Sequence, residues 1–276
     1  MSLTFSVLMS VYKNDNPEHL KTALHSIYNN QFRKPNEIVI TIDGPVSDKI
    51  RDTIHSFKQQ NHIVKVIDLV TNRGLGEALR LGSQECTCDY IVRMDSDDIS
   101  RPDRFEKQFD FLEKHPNIDI LGCNILEFES DPDKPFRQRV CPENHRKIAE
   151  MAKSRSPMNH ITTCIKRTSL LASNGYLPMP YAEDYYLWVR MLNNAFIFHN
   201  LQENLVLVRV GNGMTARRSN IALLNSLKII YNYLYKNKMI TSHQYLTNLI
   251  KAQCFIRSPN YIKTIAYKYI LRKKSI

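Results

Sequence analysis

The chain has 276 residues, of which 43% are hydrophobic and 24% charged, a composition that excludes a disordered or fibrous protein and allows a large buried core. It contains no run of eighteen apolar residues and no basic stretch before the first apolar run, so we expect neither a membrane span nor a secretory signal. The net charge of +11 resides in the C-terminal part, because residues 204–276 hold thirteen Lys or Arg and no Asp or Glu.

Short apolar runs alternate with amphipathic stretches in the first half of the chain. The apolar runs predict strands over residues 5–11, 38–42, 64–70, 90–94 and 118–128. The amphipathic stretches predict helices over residues 19–30, 48–60, 76–85 and 102–115. This alternation predicts an α/β fold in which helices cover both faces of a mostly parallel sheet.

Acidic residues follow two of these predicted strands. Asp95, Asp97 and Asp98 come directly after the fourth strand, and Asp43 follows the second. Ligands of open α/β sheets bind beyond the carboxyl ends of the strands, so we expect these carboxylates to face one crevice. Three carboxylates within four residues repel one another unless a cation neutralises them, and oxygen ligands favour Mg²⁺ or Mn²⁺. The pattern predicts a metal held against the phosphates of a ligand; a solvated acidic turn is the alternative.

The second half of the chain has a different pattern. Helices are predicted over residues 144–153, 168–173 and 182–190, and strands over residues 162–166, 196–199 and 205–208. Residues from 220 onward are helical in pattern. We therefore predict a main α/β domain over residues 1–215 and a basic helical extension over residues 216–276. The six cysteines are scattered without a Cys-x-x-Cys pair, which predicts free thiols in a cytosolic protein and no zinc site.

Five motifs, in one order along the chain, resemble those of the family 2 glycosyltransferases. They span residues 6–12, 43–44, 72–79, 94–98 and 183–188. The resemblance covers about three quarters of the chain and implies the GT-A fold, an inverting reaction and dependence on Mn²⁺ or Mg²⁺. The chain departs from the family pattern at two positions. One acid, Asp43, precedes Gly44 where members often have two, and Val210 follows Arg209 where members often have a histidine.

The resemblance also implies how a UDP-sugar donor is bound. Asp97 is the expected direct metal ligand, while Asp95 shares the metal or reaches the ribose. Asp43 is expected to accept the imide N–H of uracil. Asp98 caps a helix or contacts a substrate, and both interpretations stay open. The expected donor-binding residues together are Ser10, Tyr12, Asp43, Asn72, Gly74, Arg80, Asp95 and Ser96.

The catalytic base is expected at the start of the helix over residues 182–190. The resemblance assigns this role to Asp184, with Glu183 supporting it, although two acids at a helix start are also ordinary capping. His160, Trp188, Arg217 and Arg218 are candidate acceptor contacts. A structural role for the histidine and a packing role for the tryptophan are the alternatives.

The basic C-terminal segment indicates an anionic partner, either nucleic acid or an acidic membrane surface. Residues 259–276 have apolar positions at helical spacing between basic residues, so they predict a helix that rests on a membrane or packs with a solvated face. Because residues 1–203 have a net charge of −2, we expect no nucleic acid partner.

The expected activity is transfer of galactose or glucose, in a β linkage, from a UDP-sugar to a sugar on polyprenyl diphosphate. The resemblance places this reaction in bacterial O-antigen or capsule assembly, in the cytoplasm at the inner face of the membrane. A nucleotidyltransferase that makes nucleotide sugars is one alternative, but it needs a glycine-rich loop after the first strand. A non-enzymatic nucleic-acid binder is the other. Donor and acceptor specificity is expected to depend on loops at residues 130–139 and 154–160.

Overall fold

The structure is a computed structural model that describes residues 2–211 and 221–258 and the backbone of Lys273 and Lys274. Its main element is a mixed β-sheet. The strand order is β10-β7-β6-β8-β4-β1-β2-β3, and β9 pairs with β5 and β6. The strands are β1 (Phe5–Val11), β2 (Glu37–Ile42), β3 (Val64–Asp68), β4 (Tyr90–Met94), β5 (Ile99–Ser100), β6 (Ile120–Phe128), β7 (Arg137–Arg139), β8 (Cys164–Lys166), β9 (Phe198–Arg209) and β10 (Lys273–Lys274).

Helices connect most of these strands and pack on both faces of the sheet. They are α1 (Pro17–Ile27), α2 (Asp48–Gln60), α3 (Leu75–Glu85), α4 (Arg104–Lys114), α5 (His145–Ala152), α6 (Arg167–Ala172), α7 (Glu183–Asn193), α8 (Ile221–Lys236) and α9 (Ser242–Arg257). None of the helices within the described residues is long and apolar enough to cross a membrane.

The long ladders of the sheet are parallel, as the sequence predicts. Strand β1 lies between β2 and β4, and both pairs are parallel. The antiparallel pairs of β7, β8 and β5 are short. Because β1, β2 and β4 run in the same direction, the residues that follow them meet at one rim of the sheet.

The sheet is covered on both faces because its strands alternate between two cores. Val7 and Met9 of β1 pack with residues of α1, α2 and α4. Leu8, between them in sequence, packs with residues of α3, α5 and α7 on the other face. Strands that are buried on both sides contain few polar residues, which is why the central strands could be predicted within one residue of their observed bounds.

The predicted secondary structure is wrong mainly at the margin of the sheet. Strand β9 is one long strand where two were predicted, and the short strands β5, β7 and β10 were not predicted. The predicted helix over residues 259–276 falls mostly outside the described residues, but Lys273–Lys274 forms a strand and not a helix. This strand pairs with β7, whose edge offers backbone N–H and C=O groups for pairing.

Helices α8 and α9 pack against α7. Leu224, Ile230 and Leu234 of α8 form one hydrophobic cluster with Val189 of α7 and Ala252 of α9. A capping box between Thr241 and Gln244 begins α9. All six cysteines have free thiols, in agreement with the sequence-based expectation.

Gly82 allows α3 to pack closely on the sheet and leads to a stability prediction. A Cβ atom at this position would lie 2.5 Å from the Thr41 Oγ1 atom and 2.6 Å from the Leu8 Cδ1 atom. We expect Gly82→Ala to lower the free energy of unfolding by about 1–2 kcal/mol, because overpacking outweighs the gain of ~1 kcal/mol in helix propensity. Urea denaturation tests this, with Gln84→Ala at an exposed position of the same helix as the control. A Gly82→Ala variant as stable as wild type would contradict the expected clash.

Candidate active site

Three carboxylates form a tight turn directly after β4. Ligand oxygens of Asp95, Asp97 and Asp98 lie within 4.8 Å of one another. Asp95 and Asp97 are partly exposed, whereas Asp98 is buried. Oxygen atoms bound to one octahedral Mg²⁺ at about 2.1 Å lie about 3–4 Å apart, inside this upper limit, and an all-oxygen donor set suits that ion or Mn²⁺. The residues present therefore fit a divalent cation.

Asp98 supports this interpretation, because a buried carboxylate next to two others needs a compensating cation, and this residue is only 2% exposed. Burial and the neighbouring Asp97 and Asp95 carboxylates raise its pKa well above the ordinary value. Its Oδ1 atom accepts a hydrogen bond of 2.8 Å from the backbone N–H of Arg209. Asp98 thus joins the acidic turn to the end of β9 and does not cap a helix, since α4 begins after Asp103.

Arg93 lies beneath the acidic turn and was not identified from the sequence. Its side chain is only 1% exposed, because it belongs to the buried strand β4. The guanidinium forms an ion pair with Asp95 and donates to the carbonyl of Met94. The signal in the sequence was an arginine inside an otherwise apolar strand, because a buried cation requires a partner.

Asp43 lies at the end of β2 and holds the loop that leads into α3. Its buried carboxylate accepts hydrogen bonds from the Asn72 side chain at 3.0 Å, from the Arg73 N–H at 2.7 Å and from the Gly74 N–H at 2.9 Å. Gly44 adopts φ +83, and a Cβ there would lie 2.4 Å from the Asn72 backbone nitrogen. The structure therefore brings Asp43, Asn72 and Gly74 together at the rim.

A second polar connection joins the end of β1 to the acidic turn. The Asp15 carboxylate accepts from the backbone N–H of Tyr12 at 3.0 Å and from the Ser96 hydroxyl at 2.8 Å. Ser10 and Tyr12 are both partly exposed at this end of the strand. Asp15 was not identified from the sequence, where it resembles any loop carboxylate.

Arg80 is engaged within its own helix. Its guanidinium forms two hydrogen bonds of 2.7 Å with the Glu77 carboxylate, one turn earlier in α3. The ion pair raises the pKa of Arg80 and lowers that of Glu77. Arg80 is therefore held in a charge pair on the helix surface in this structure.

The two acids at the start of α7 have different environments. Glu183 is 8% exposed and lies beside the first turn of α3, where a Cβ on Gly76 would be 3.3 Å from the Glu183 Cβ. Asp184 is partly exposed, and its Oδ2 atom accepts a hydrogen bond of 3.1 Å from the Ser156 hydroxyl. Asp184 is thus the more accessible carboxylate of the pair.

Electrostatics indicate that the α7 acids and the acidic turn share one site. Burial, and next the Asp184 carboxylate, raise the pKa of Glu183 to about 7. Arg93 opposes this shift and Asp95 adds to it. Residues of β4 and of the turn after it therefore lie near enough to the start of α7 for their charges to interact.

The raised pKa of Glu183 predicts a pH-dependent stability. Between pH 4.5, the ordinary value, and about pH 7, the unfolded chain releases this proton while the folded chain keeps it. The free energy of unfolding of wild type should therefore fall by roughly 3 kcal/mol relative to that of Glu183→Gln as the pH rises through this range. Urea unfolding without metal at pH 4.5, 6 and 8 tests this. The stability of Glu106→Gln, which changes an exposed carboxylate, should depend on pH as that of wild type does. The same pH dependence in Glu183→Gln and wild type would contradict the prediction.

The candidate acceptor residues lie partly in the protein core. Trp188 is fully buried and packs edge-on against Phe198 and His160, so it has no surface to offer an acceptor. The His160 Nε2 atom is hydrogen-bonded to the Tyr176 hydroxyl at 2.9 Å, and burial lowers the pKa of this histidine well below its usual value. Arg217 and Arg218 lie outside the described residues.

These residues give the site two chemical parts. On one side, the acidic turn offers oxygen ligands for a cation that could bind phosphate. On the other, Asp184 offers an accessible carboxylate as a proton acceptor. The site could therefore stabilise a departing anion while a second group is deprotonated.

Two solved structures share this fold. Staphylococcus aureus TarS, in a complex with UDP-GlcNAc, aligns with a TM-score of 0.69 and 18% identity over 98% of this chain and 76% of that chain. The mannosyltransferase PcManGT of Pyrobaculum calidifontis, in a complex with GDP-Man and Mn²⁺, aligns with a TM-score of 0.64 and 13% identity over 98% and 76%. At these identities the comparison confirms the GT-A architecture alone.

Sequence comparison identifies the family. An Escherichia coli UDP-Gal:alpha-D-GlcNAc-diphosphoundecaprenol beta-1,3-galactosyltransferase is 35% identical over 272 residues, which covers 98% of this chain and 97% of that protein. The sequence profile described as Glycosyl transferase family 2 matches residues 6–173. The chain therefore belongs to glycosyltransferase family 2.

Proposed function

We propose that this protein is an inverting, metal-dependent hexosyltransferase that uses a UDP-sugar. It transfers galactose or glucose, in a β linkage, to a sugar on polyprenyl diphosphate during bacterial O-antigen or capsule assembly. The observation that carries the proposal is the cluster of Asp95, Asp97 and Asp98 after β4, near enough to the start of α7 for the Asp95 charge to act on Glu183. The donor and acceptor named for the Escherichia coli relative support the choice of substrates.

The donor would occupy the rim above β1, β2 and β4. Asp97 and Asp95 would hold Mn²⁺ or Mg²⁺, and this cation would neutralise negative charge on the leaving diphosphate. Asp43 would recognise uracil beside Tyr12 and Ser10, while keeping the loop at residues 72–74 in place. The UDP-GlcNAc bound to TarS and the Mn²⁺ bound to PcManGT support a nucleotide sugar with a cation.

Asp184 would act as the base on the opposite side of the sugar. The acceptor hydroxyl oxygen attacks the anomeric carbon, its proton passes to the Asp184 carboxylate, and the bond to UDP breaks with its electron pair on UDP. Glu183, buried beside Asp184, would position it. Because attack occurs opposite the leaving group, the configuration at the anomeric carbon inverts.

The acceptor would be a lipid-linked sugar at the inner face of the membrane, with the protein in the cytoplasm and peripheral to that surface. Lys228, Lys236, Lys251 and Arg257 on α8 and α9 carry positive charge without any acidic residue after position 203. We also propose that residues 1–215 form the catalytic domain and residues 216–276 a basic extension.

A donor-hydrolysis screen tests the proposed donor and cation. Purified protein is incubated without acceptor with UDP-, GDP- and dTDP-hexoses, in Mn²⁺ or in excess EDTA, and nucleotide release is measured. We expect release from UDP-galactose or UDP-glucose alone, and its loss on chelation. Equal release from GDP-sugars, or activity that survives chelation, would contradict the proposal.

A further inference from the structure

Strand β7, which lies between β10 and β6, carries two arginines, and one of them contacts the serine that is bonded to the proposed base. Arg137 and Arg139 are two residues apart in a strand, so they lie on the same face, while Gln138 between them bonds Asn204 on the other. Neither arginine forms an ion pair with a carboxylate in the described part of the chain. Both are partly exposed, so their guanidinium groups can meet a ligand.

A single serine connects this strand to Asp184. The Arg139 Nη2 atom donates to the Ser156 carbonyl oxygen at 3.0 Å. The hydroxyl of the same serine donates to the Asp184 Oδ2 atom at 3.1 Å. Arg139 is therefore linked through Ser156 to the carboxylate that would deprotonate the acceptor, and Arg137 lies two positions before Arg139 in the same strand.

Arg137 makes a cation–π contact with its neighbour in sequence. Its guanidinium carbon lies 4.9 Å from the centroid of the Phe136 ring, a contact that favours this position of the side chain. Arginine binds phosphate through two parallel N–H groups, and a guanidinium without a carboxylate partner remains available for this. Arg155, exposed and next to Ser156, adds positive charge to the same region.

An acceptor sugar linked to a diphosphate has the geometry that this arrangement requires. The attacking hydroxyl must reach Asp184, and one sugar ring separates it from the diphosphate on the anomeric carbon. The anion would then lie beside the base, on the side away from the donor diphosphate. Arg139 meets the first of these requirements, because Ser156 connects it to Asp184.

We propose that Arg137 and Arg139 form a binding site for the diphosphate of the acceptor. This inference rests on the proposed function, because it assumes that Asp184 receives the proton of the acceptor hydroxyl. It assigns recognition of the acceptor anion to β7, which lies within residues 130–139, a segment that the sequence analysis expects to affect specificity. The site binds a diphosphate ester attached to an apolar chain and does not depend on the identity of the acceptor sugar.

Binding of geranyl diphosphate provides a test that needs no acceptor sugar. The donor site is first filled with saturating UDP and Mn²⁺, and binding of geranyl diphosphate is then measured by titration calorimetry. We expect Arg137→Gln to weaken binding about tenfold to a hundredfold, since it removes a charged hydrogen-bond donor. Inorganic phosphate at the same concentration should not compete, which separates a diphosphate lipid site from general anion binding.

Matched variants control for structure and charge. Arg137 makes no hydrogen bond to Ser156, so Arg137→Gln should leave the contact between Ser156 and Asp184 intact. Arg139→Lys keeps the charge and should lose less affinity than Arg139→Gln. Lys58→Gln, at the exposed end of α2 beside the opposite sheet edge, removes one positive charge and should bind as wild type does. Equal binding by wild type and Arg137→Gln would overturn the inference.

The result is distinguishable from failure of the proposed function. UDP-sugar hydrolysis without acceptor tests the donor site and should proceed at the wild-type rate in Arg137→Gln. Normal hydrolysis with unchanged geranyl diphosphate binding would reject the β7 site and leave the donor assignment intact. If wild type hydrolysed UDP-, GDP- and dTDP-hexoses equally well, the proposed function would be rejected, whatever the behaviour of Arg137→Gln.

Discussion

Asp97→Asn should lower kcat/KM for hexose transfer by about a thousandfold or more. The change removes a charged ligand from the acidic turn, and loss of metal stabilisation of the leaving diphosphate is worth several kcal/mol, with each 1.36 kcal/mol a factor of ten. The side chain keeps its size, so the change is confined to charge and metal binding. Transfer rates and Mn²⁺ affinity, measured together on the variant, provide the test.

Stability separates this effect from misfolding. Asp97 is the neighbouring charge that contributes most to the raised pKa of Asp98, so its neutralisation should relieve repulsion within the turn. We therefore expect metal-free Asp97→Asn to unfold at the same temperature as wild type or higher, while its activity is lost. Asp110→Asn removes an exposed carboxylate from α4 and should retain full activity. Wild-type turnover by Asp97→Asn would refute the metal assignment.

The sequence was sufficient to predict strands β1, β2 and β4 and both acidic motifs. Central strands such as β1 and β4 are buried on both faces, so a continuous apolar run marks them whatever the rest of the fold. The acids of the turn and of α7 could be identified by their motifs. Their convergence, which depends on tertiary packing, was only an expectation from the resemblance.

Other site features depend on contacts between distant segments and could not be predicted. Asp15 bonds Ser96 across 81 positions of the chain, and Arg139 reaches Ser156 because β7 pairs with β6 in the sheet. Strand β7 has three residues and no apolar periodicity, so the pattern of the sequence does not mark it. Trp188 was a candidate acceptor residue, but its position on α7 directs it into the core.

Asp184→Asn is expected to lower kcat for transfer by about a hundredfold to ten-thousandfold, the usual contribution of a general base. The binding of UDP and Mn²⁺ should be unchanged, because Asp184 lies apart from the acidic turn in the proposed arrangement. The Asn side-chain oxygen can still accept the hydrogen bond from Ser156, so the loop should keep its conformation. Steady-state transfer and equilibrium UDP binding are the two measurements.

Comparison with Glu183→Gln decides which of the two adjacent acids is the base. Glu183 is buried and its pKa is raised to about 7, so part of its population is protonated at neutral pH and its access to an acceptor is restricted. Asp184 is partly exposed at the same helix start. We therefore expect Glu183→Gln to retain more activity than Asp184→Asn. A larger loss in Glu183→Gln, with UDP binding intact, would reverse the two roles and make Asp184 the supporting acid.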